Sequence, residues 1–238
     1  MNRPFREEMR NEMKFFTDHT VENDYLLVKI DQYLKLPNNT WKEIFIDPGV
    51  YDLVNQPYYS WEKWIDIGLF LDGLPENCYF SADYPCDMNL EYTEQFLLKS
   101  WDNAVLYGGH PQYIVTVQSK FNDYWDFIHW FDLYNDLSIE SGIIGLGNFC
   151  RIHHLTEFMK HSLDYAFKHC KHPRIHVYGL GLKIIPYANK LAKRFEIELS
   201  VDSTKWTRDP IIPGKPSCRA SNKQEYFDKY MRIIKERL

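Results

Sequence analysis

The sequence contains no long apolar run and no organised set of cysteines. No stretch of about 18 or more consecutive apolar residues occurs, so we expect no membrane-spanning helix. The first residues, "MNRPFREEMRNEMKFF", are charged and lack the apolar centre of a signal peptide, which predicts a cytoplasmic protein. The five cysteines are scattered and odd in number, as is typical of reduced thiols rather than of a disulfide framework.

Low-complexity linkers and internal repeats are also missing. The chain has 238 residues, of which 45% are hydrophobic and 16% aromatic, and this composition provides enough apolar surface for one substantial core. The length suits one large domain or two small ones, and we expect residues 1–238 to form one.

Acidic and basic residues are unevenly distributed along the chain. The net charge is −5, but residues 1–150 carry 10 Lys and Arg against 24 Asp and Glu, a balance of −14. Residues 151–238 carry 18 against 9, a balance of +9. The basic part predicts a surface that can meet the phosphate backbone of a nucleic acid, although a chance split between two solvated faces explains the same counts.

Short apolar runs alternate with longer helical patterns. Seven runs have the length and composition of buried parallel strands: 13–16, 43–47, 78–83, 113–118, 142–147, 174–181 and 196–202. Helical patterns cover 58–71, 121–134, 155–170, 186–195 and about 222–237. The alternation predicts an α/β fold, either a closed (β/α)8 barrel or an open doubly wound sheet, and a barrel of this length is a compact one.

The informative polar residues and glycine turns fall where the predicted strands end. They are Asp47, Asp83, Gln118, the turn Gly145-Leu146-Gly147, Gly179 and Asp202. In α/β folds the loops that follow successive strands converge at this edge, where sites are assembled. Any one of the aspartates can be explained as the N-cap of the next helix. Three of them in register, with a glutamine and two glycine turns, favour a functional site.

These residue types suit a polar planar heterocycle held beside a carboxylate. An ionised carboxylate can act as a nucleophile, and a second one can move a proton if its surroundings raise its pKa. A glutamine amide can donate to and accept from the edge of a base. Glycine backbone can approach a flat ligand closely because no Cβ intervenes.

Six segments of the chain resemble motifs of the tRNA-guanine transglycosylase superfamily. "FIDPGVYDL" is similar to D-S-G-G-[FY]-Q, "FSADYPCD" to A-F-D-E-C and "VTVQSK" to V-Q-G. "IIGLGNF" is similar to I-G-G-L, "HVYGLG" to G-V-G and "IELSVDSTKWTR" to D-x-x-x-P-T-R. The six occur in the family's order and span residues 45–208. The resemblance implies a (β/α)8 barrel enzyme that exchanges a guanine base for a 7-deazaguanine.

Within this superfamily the chain looks most similar to the DpdA-like branch, which inserts 7-deazaguanine derivatives into DNA in phages and bacteria. The D-S-T-x-W form at Asp202 and the short chain carry that likeness. The resemblance therefore implies two partners, DNA and a free 7-deazaguanine such as preQ0, and no cofactor. Activity on tRNA, or hydrolysis of a nucleoside or glycoside by a retaining mechanism, are the alternative functions. A non-catalytic module that binds nucleic acid is a further alternative.

The resemblance also implies a role for each matched residue. Asp202 is the expected nucleophile at C1′ of the nucleoside, and Asp47 is the expected acid and base beside the exchanged base. Asp83 is expected at N1 and the 2-amino group of the base. The other residues expected to bind substrate are Tyr51, Gln118, Gly145, Leu146, Gly147, Gly179, Trp206 and Arg208.

Two departures from the family pattern change what is expected. Val50 stands where the family has its second glycine after Asp47, which alters the shape of the pocket. The family's zinc site needs several cysteines and a histidine after the nucleophile, and here only Cys218 follows Asp202. We therefore predict no bound metal and no zinc subdomain, and this absence shifts the expected substrate from tRNA towards DNA and leaves a monomer or a dimer open.

Overall fold

A computed structural model describes residues 13–18, 20–36, 40–49, 65–84, 86, 93–147, 149–150, 152, 155–203 and 222–238. These residues form eight strands and seven helices. The strands are β1 Lys14–Phe16, β2 Tyr25–Lys29, β3 Glu43–Asp47, β4 Cys78–Phe80, β5 Val115–Val117, β6 Ile143–Leu146, β7 Arg174–Val177 and β8 Glu198–Asp202. The helices are α1 Ile30–Tyr33, α2 Ile67–Asp72, α3 Thr93–Tyr107, α4 Tyr124–Asn135, α5 Glu157–His169, α6 Ile185–Phe195 and α7 Lys223–Arg237.

The strands form two parallel sheets. One sheet has five strands in the order β1-β8-β7-β6-β5, and the other has three in the order β2-β3-β4. A single parallel bridge joins Thr17 to Leu26, and another joins Phe80 to Tyr113, so that each end of one sheet touches an end of the other. Parallel strands need long crossovers, and five helices follow strands β3 to β7 in turn. The predicted α/β class is confirmed.

Alternate residues of each strand lie on opposite faces, as extended backbone requires. In β3, Ile44 and Ile46 belong to the large apolar core, whereas Phe45 belongs to a separate small cluster. In β7, Ile175 and Val177 likewise lie in the large core. The side of β3 that carries Phe45 also carries Asp47, and this places the carboxylate on the face away from the helices.

The small cluster lies where the inner faces of the two sheets meet. Its members are Phe16, Phe45, Ile114 and Ile143. The rings of Phe16 and Phe45 come from different sheets and stack with their centroids 4.1 Å apart. Burying an aromatic side chain of this size stabilises a fold by roughly 1.5–3 kcal/mol. The cluster therefore holds the two sheets together below the edge that carries the aspartates.

Charged side chains close the opposite edge, where the strands begin. Lys14 lies 2.6 Å from Glu43 and 2.8 Å from Glu198, and Arg174 lies 2.8 Å from Glu43 and 3.3 Å from Glu198. Burial alone would raise the pKa of Glu43, but Arg174 and Lys14 outweigh it and hold that pKa below its ordinary value. The four residues form an alternating ion cluster between the sheets.

Candidate functional site

Asp47, Asp83 and Asp202 come together at the carboxyl ends of the strands. Burial, together with the negative charges of Asp83 and Asp202, raises the pKa of Asp47 to about 7. The N–H of Gly49, which donates to Asp47 Oδ1 at 2.5 Å, and the positive charge of Lys29 act in the opposite direction. Asp47 therefore lies between its acid and its base form near neutral pH, as a group that both gives and takes a proton requires.

Asp202, the last residue of β8, is almost completely buried, with 6% of its surface exposed. Its Oδ1 accepts a hydrogen bond from the N–H of Gly179 at 2.9 Å and lies 3.3 Å from Nε2 of His176. Gly179 has φ +63° and packs so closely on Cys150 that a Cβ would lie 2.7 Å from the Cys150 Cα. A glycine is therefore needed at the position whose N–H holds the carboxylate.

Asp83 and Gln118 form a hydrogen-bonded pair. The Gln118 Nε2 donates to Asp83 Oδ2 at 2.6 Å, and the Ser81 hydroxyl donates to Asp83 Oδ1 at the same distance. Ser81 also lies 2.7 Å from the hydroxyl of Thr116, and the N–H of Cys86 donates to Gln118 Oε1 at 3.3 Å. Both polar groups expected to read a base are thus fixed in place by the strands beside them.

The hydrogen bonds described for Asp83 and Asp202 are with Ser81, Gln118 and Gly179, and none of these three donors lies in the first turn of a helix. The caps of three helices are instead Asp66, Asp123 and Thr156, whose side chains accept from the first turns of α2, α4 and α5. Caps and site residues are thus different residues in this part of the chain.

Gly145 and Gly147 make room for neighbouring side chains of the site. A Cβ on Gly145 would lie 2.7 Å from the hydroxyl of Thr116 and 2.8 Å from the ring of Tyr178. A Cβ on Gly147 would lie 2.2 Å from Nε2 of Gln118. The space that a side chain would need at these two glycines is therefore already filled by the tyrosine ring and the glutamine amide of the protein itself.

The remaining predicted site residues have different outcomes. Leu146 is fully buried in the large core beneath the helices, and its carbonyl accepts from the N–H of Tyr178 at 3.1 Å. Tyr51, Trp206 and Arg208 lie outside the residues that the structure describes.

Five residues of the site were missed by the sequence analysis: Lys29, Ser81, Thr116, His176 and Tyr178. Burial and the charge of Asp83 raise the pKa of Tyr178 well above its ordinary value, and hydrogen bonds to Thr116 and Ser81 act in the opposite direction. Counting every second residue along a strand identifies three of these five residues from the sequence, because such residues lie on the same face. Thr116 stands two residues before Gln118, and His176 and Tyr178 follow Arg174 in steps of two.

The described ranges hold neither a metal-binding cluster nor a membrane-spanning helix. Within them, no group of three or more His, Cys, Asp or Glu side chains is placed to hold a metal ion. Nor has any helix in these ranges the length and apolar character needed to cross a bilayer. Four of the cysteines, Cys78, Cys86, Cys150 and Cys170, are free thiols.

The chain matches no family model, no curated protein and no solved structure.

Proposed function

We propose that the eight strands close into a (β/α)8 barrel with its site at the carboxyl ends of the strands. Two features support this proposal: the bridges that join the sheets at both seams, and the interior cluster with residues from both sheets. Leu27 N–H donates to the Thr17 carbonyl at 2.8 Å, and Ile114 N–H donates to the Phe80 carbonyl at 2.9 Å. Hydrogen exchange tests the closure, because a closed barrel protects these two seam amides as strongly as amides within the sheets.

We propose further that the chain is a transglycosylase that exchanges guanine in DNA for a 7-deazaguanine of the preQ0 type. The observation that carries this proposal is the convergence of three aspartates from three strand ends, with one of them, Asp47, holding a pKa of about 7. Carboxylates in different electrostatic environments can perform different steps of one reaction. The chain's resemblance to transglycosylase motifs supplies the reaction class.

The proposed reaction begins with attack of the Asp202 carboxylate on C1′ of the nucleoside. The bond between C1′ and N9 of guanine breaks, the bonding pair goes to the base, and Asp47 in its acid form supplies the proton that neutralises it. A 7-deazaguanine then loses its N9 proton to Asp47 and attacks C1′, which releases Asp202. Two inversions at C1′ retain the configuration, as in retaining glycosidases.

The pair formed by Asp83 and Gln118 is proposed to recognise the base. A carboxylate accepts hydrogen bonds from N1 and the 2-amino group of guanine, and both groups are present in 7-deazaguanines. Because Ser81 and Gln118 already orient Asp83, the ligand finds the acceptor in place and little ordering is needed when it binds. The target nucleotide must leave the base stack to reach this half-buried pair.

The basic balance of residues 151–238 supports a nucleic acid as the partner. The test incubates the purified chain with duplex and single-stranded DNA, tRNA and labelled preQ0, and measures label bound to each polymer. Label in DNA that is lost in Asp202→Ala and Asp47→Ala supports the proposal. Label in tRNA alone retains the chemistry and overturns the choice of DNA. Abasic sites without incorporated label indicate hydrolysis instead. Asp102→Asn, on the exposed face of α3, is the matched control for replacing an aspartate.

A further inference from the structure

A ladder of polar side chains runs along β7 and β8 towards the buried aspartate. Arg174 pairs in register with Glu198, and His176 pairs with Ser200. The Nε of Arg174 donates to the Ser200 hydroxyl at 3.1 Å, and that hydroxyl lies 3.0 Å from Nδ1 of His176. On the far side of the imidazole, Nε2 lies 3.3 Å from Oδ1 of Asp202. The ladder thus links the ion cluster at one edge of the sheet to the site at the other.

The donors and acceptors of this ladder fix where its protons lie. The guanidinium of Arg174 can only donate, so the Ser200 oxygen accepts from it and keeps one hydrogen of its own. That hydrogen has the Nδ1 lone pair of His176 as its acceptor. If Nδ1 carried a proton instead, the lone pair of Nε2 would point at the negative carboxylate of Asp202. The favoured arrangement is therefore the neutral imidazole with its hydrogen on Nε2.

The surroundings of His176 favour the uncharged ring. Its side chain is fully buried, and three aromatic rings lie with their centroids within 5.5 Å of it: Phe16, Phe45 and Tyr178. Burial lowers the pKa of His176, Asp202 raises it, Arg174 lowers it and Glu43 raises it, and the net effect is a pKa below the ordinary value. A neutral donor therefore faces the carboxylate at neutral pH.

The contact between His176 and Asp202 is long and poorly aligned, so that the fully buried Nε2 has no hydrogen-bond partner among the described residues. Catalytic hydrogen bonds are commonly loose in a free enzyme and tighten when substrate binds. The two polar contacts that the described residues make with the Asp202 carboxylate, from Gly179 and from His176, are both to Oδ1. Among the described residues no such contact is made with Oδ2, and this oxygen is therefore our candidate for the attacking atom.

We propose that His176 is a positioning residue that donates from Nε2 to Oδ1 of Asp202 and thereby presents Oδ2 as the attacking oxygen. The inference rests on the proposed function where it names Oδ2 as the attacking oxygen. The proton arrangement of His176 does not depend on that function. Ser200 and Arg174 hold the ring in the orientation that places Nε2 towards the carboxylate. The ladder therefore orients the His176 ring towards Asp202 before any substrate binds, and the hydrogen bond from Nε2 tightens on binding.

The proton arrangement is tested on the full chain without any substrate. Protein labelled with ¹⁵N-histidine is examined by long-range ¹H–¹⁵N correlation spectra, in which each tautomer has its own pattern, and the His176 signals are those lost in His176→Gln. We expect the neutral ring with its hydrogen on Nε2. A hydrogen on Nδ1, or a doubly protonated ring at pH 7, overturns the inference, and this arm gives its answer even if the chain transfers no base.

The consequence for the reaction is tested by single-turnover formation of the glycosyl-enzyme in two His176 variants. Glutamine carries an amide N–H near the position of Nε2, whereas methionine fills the space without a donor. We expect His176→Met to slow the step by roughly 10- to 100-fold and His176→Gln to recover much of that loss. His129→Met, at an exposed position of α4, is the control and keeps the wild-type rate.

The outcomes separate the two proposals. Equal losses in His176→Met and His176→Gln attribute the effect to packing and overturn the positioning role. A wild-type chain that forms no glycosyl-enzyme at all contradicts the proposed function, and the tautomer of His176 then decides the proton arrangement alone.

Discussion

Replacing Asp47 by asparagine removes the destabilisation that its buried negative charge causes, and it also removes the group proposed to transfer the proton. The pKa of Asp47 is raised from 3.8 to about 7 in the folded chain, first by burial and then by the charge of Asp83. The folded state therefore favours the protonated acid, and the unfolded chain releases the proton at lower pH. The stability associated with this group is fully present below the unfolded pKa and is lost as the pH rises through the folded one.

The size of the effect follows from the two pKa values. One unit of pKa difference corresponds to about 1.4 kcal/mol, so ionising Asp47 in the folded chain costs about 4 kcal/mol of stability above pH 7. Asp47→Asn cannot ionise and keeps an oxygen that can accept from the Gly49 N–H. We expect the variant to be more stable than wild type at pH 7.5 by up to about 4 kcal/mol, a rise in Tm of roughly 10 °C. At pH 4 we expect the two proteins to be similar.

The assay is urea unfolding of both proteins at intervals from pH 4 to pH 8, with base exchange measured in parallel. Asp102→Asn is the control, and its stability follows the wild-type curve. Asp83→Asn removes the largest charge that acts on Asp47, so it is expected to recover part of the same stability. Parallel pH curves for wild type and Asp47→Asn would contradict the raised pKa of Asp47, and base exchange that survives in Asp47→Asn would contradict its role as acid and base.

Two further predictions concern packing and charge. Gly147→Ala places a Cβ within 2.2 Å of the Gln118 amide, so we expect at least a tenfold rise in KM for preQ0, whereas Gly109→Ala, which meets nothing within 4 Å, leaves it unchanged. Glu43→Gln leaves Arg174 without one of its two carboxylates, and we expect a loss of roughly 3 kcal/mol at neutral pH. Because the pKa of Glu43 is lowered in the folded chain, the difference in stability between wild type and Glu43→Gln shrinks as the pH falls through that pKa. Unfolding curves at pH 3 and pH 7 measure this change, and an equal loss at both pH values contradicts the prediction.

The positions of most strands are well predicted from the sequence, since each of the seven predicted runs contains the whole of one strand and the run at 43–47 has the same bounds. The strand that was missed, β2, reads "YLLVK", and its four successive apolar residues show no alternation that separates a strand from a helix start. Helix α3 was missed as well, because its exposed face carries Leu98, Val105 and Leu106 and so blurs the amphipathic pattern.

The positions of the three aspartates could be predicted because each ends or follows a strand, and strand ends are visible in a sequence. The electrostatic coupling of the three carboxylates could not be predicted, because it depends on the distances between their side chains across the site. The supporting residues were hidden for another reason. Thr116 and His176 lie within strands that look apolar, so a count in steps of two along each strand is needed to place them on the inward face, and strand pairing then sets Thr116 beside Gly145 and His176 beside Ser200.

Asp202 is proposed to form a covalent bond to the nucleoside sugar. The most direct measurement is mass spectrometry of the intact chain after a brief reaction with a guanine-containing oligonucleotide, quenched in acid and followed by peptide mapping. We expect an adduct on the peptide that contains Asp202, its disappearance when preQ0 is added, and no adduct in Asp202→Asn. An adduct that persists in Asp202→Asn, or label transferred to DNA by that variant at the wild-type rate, would contradict the account.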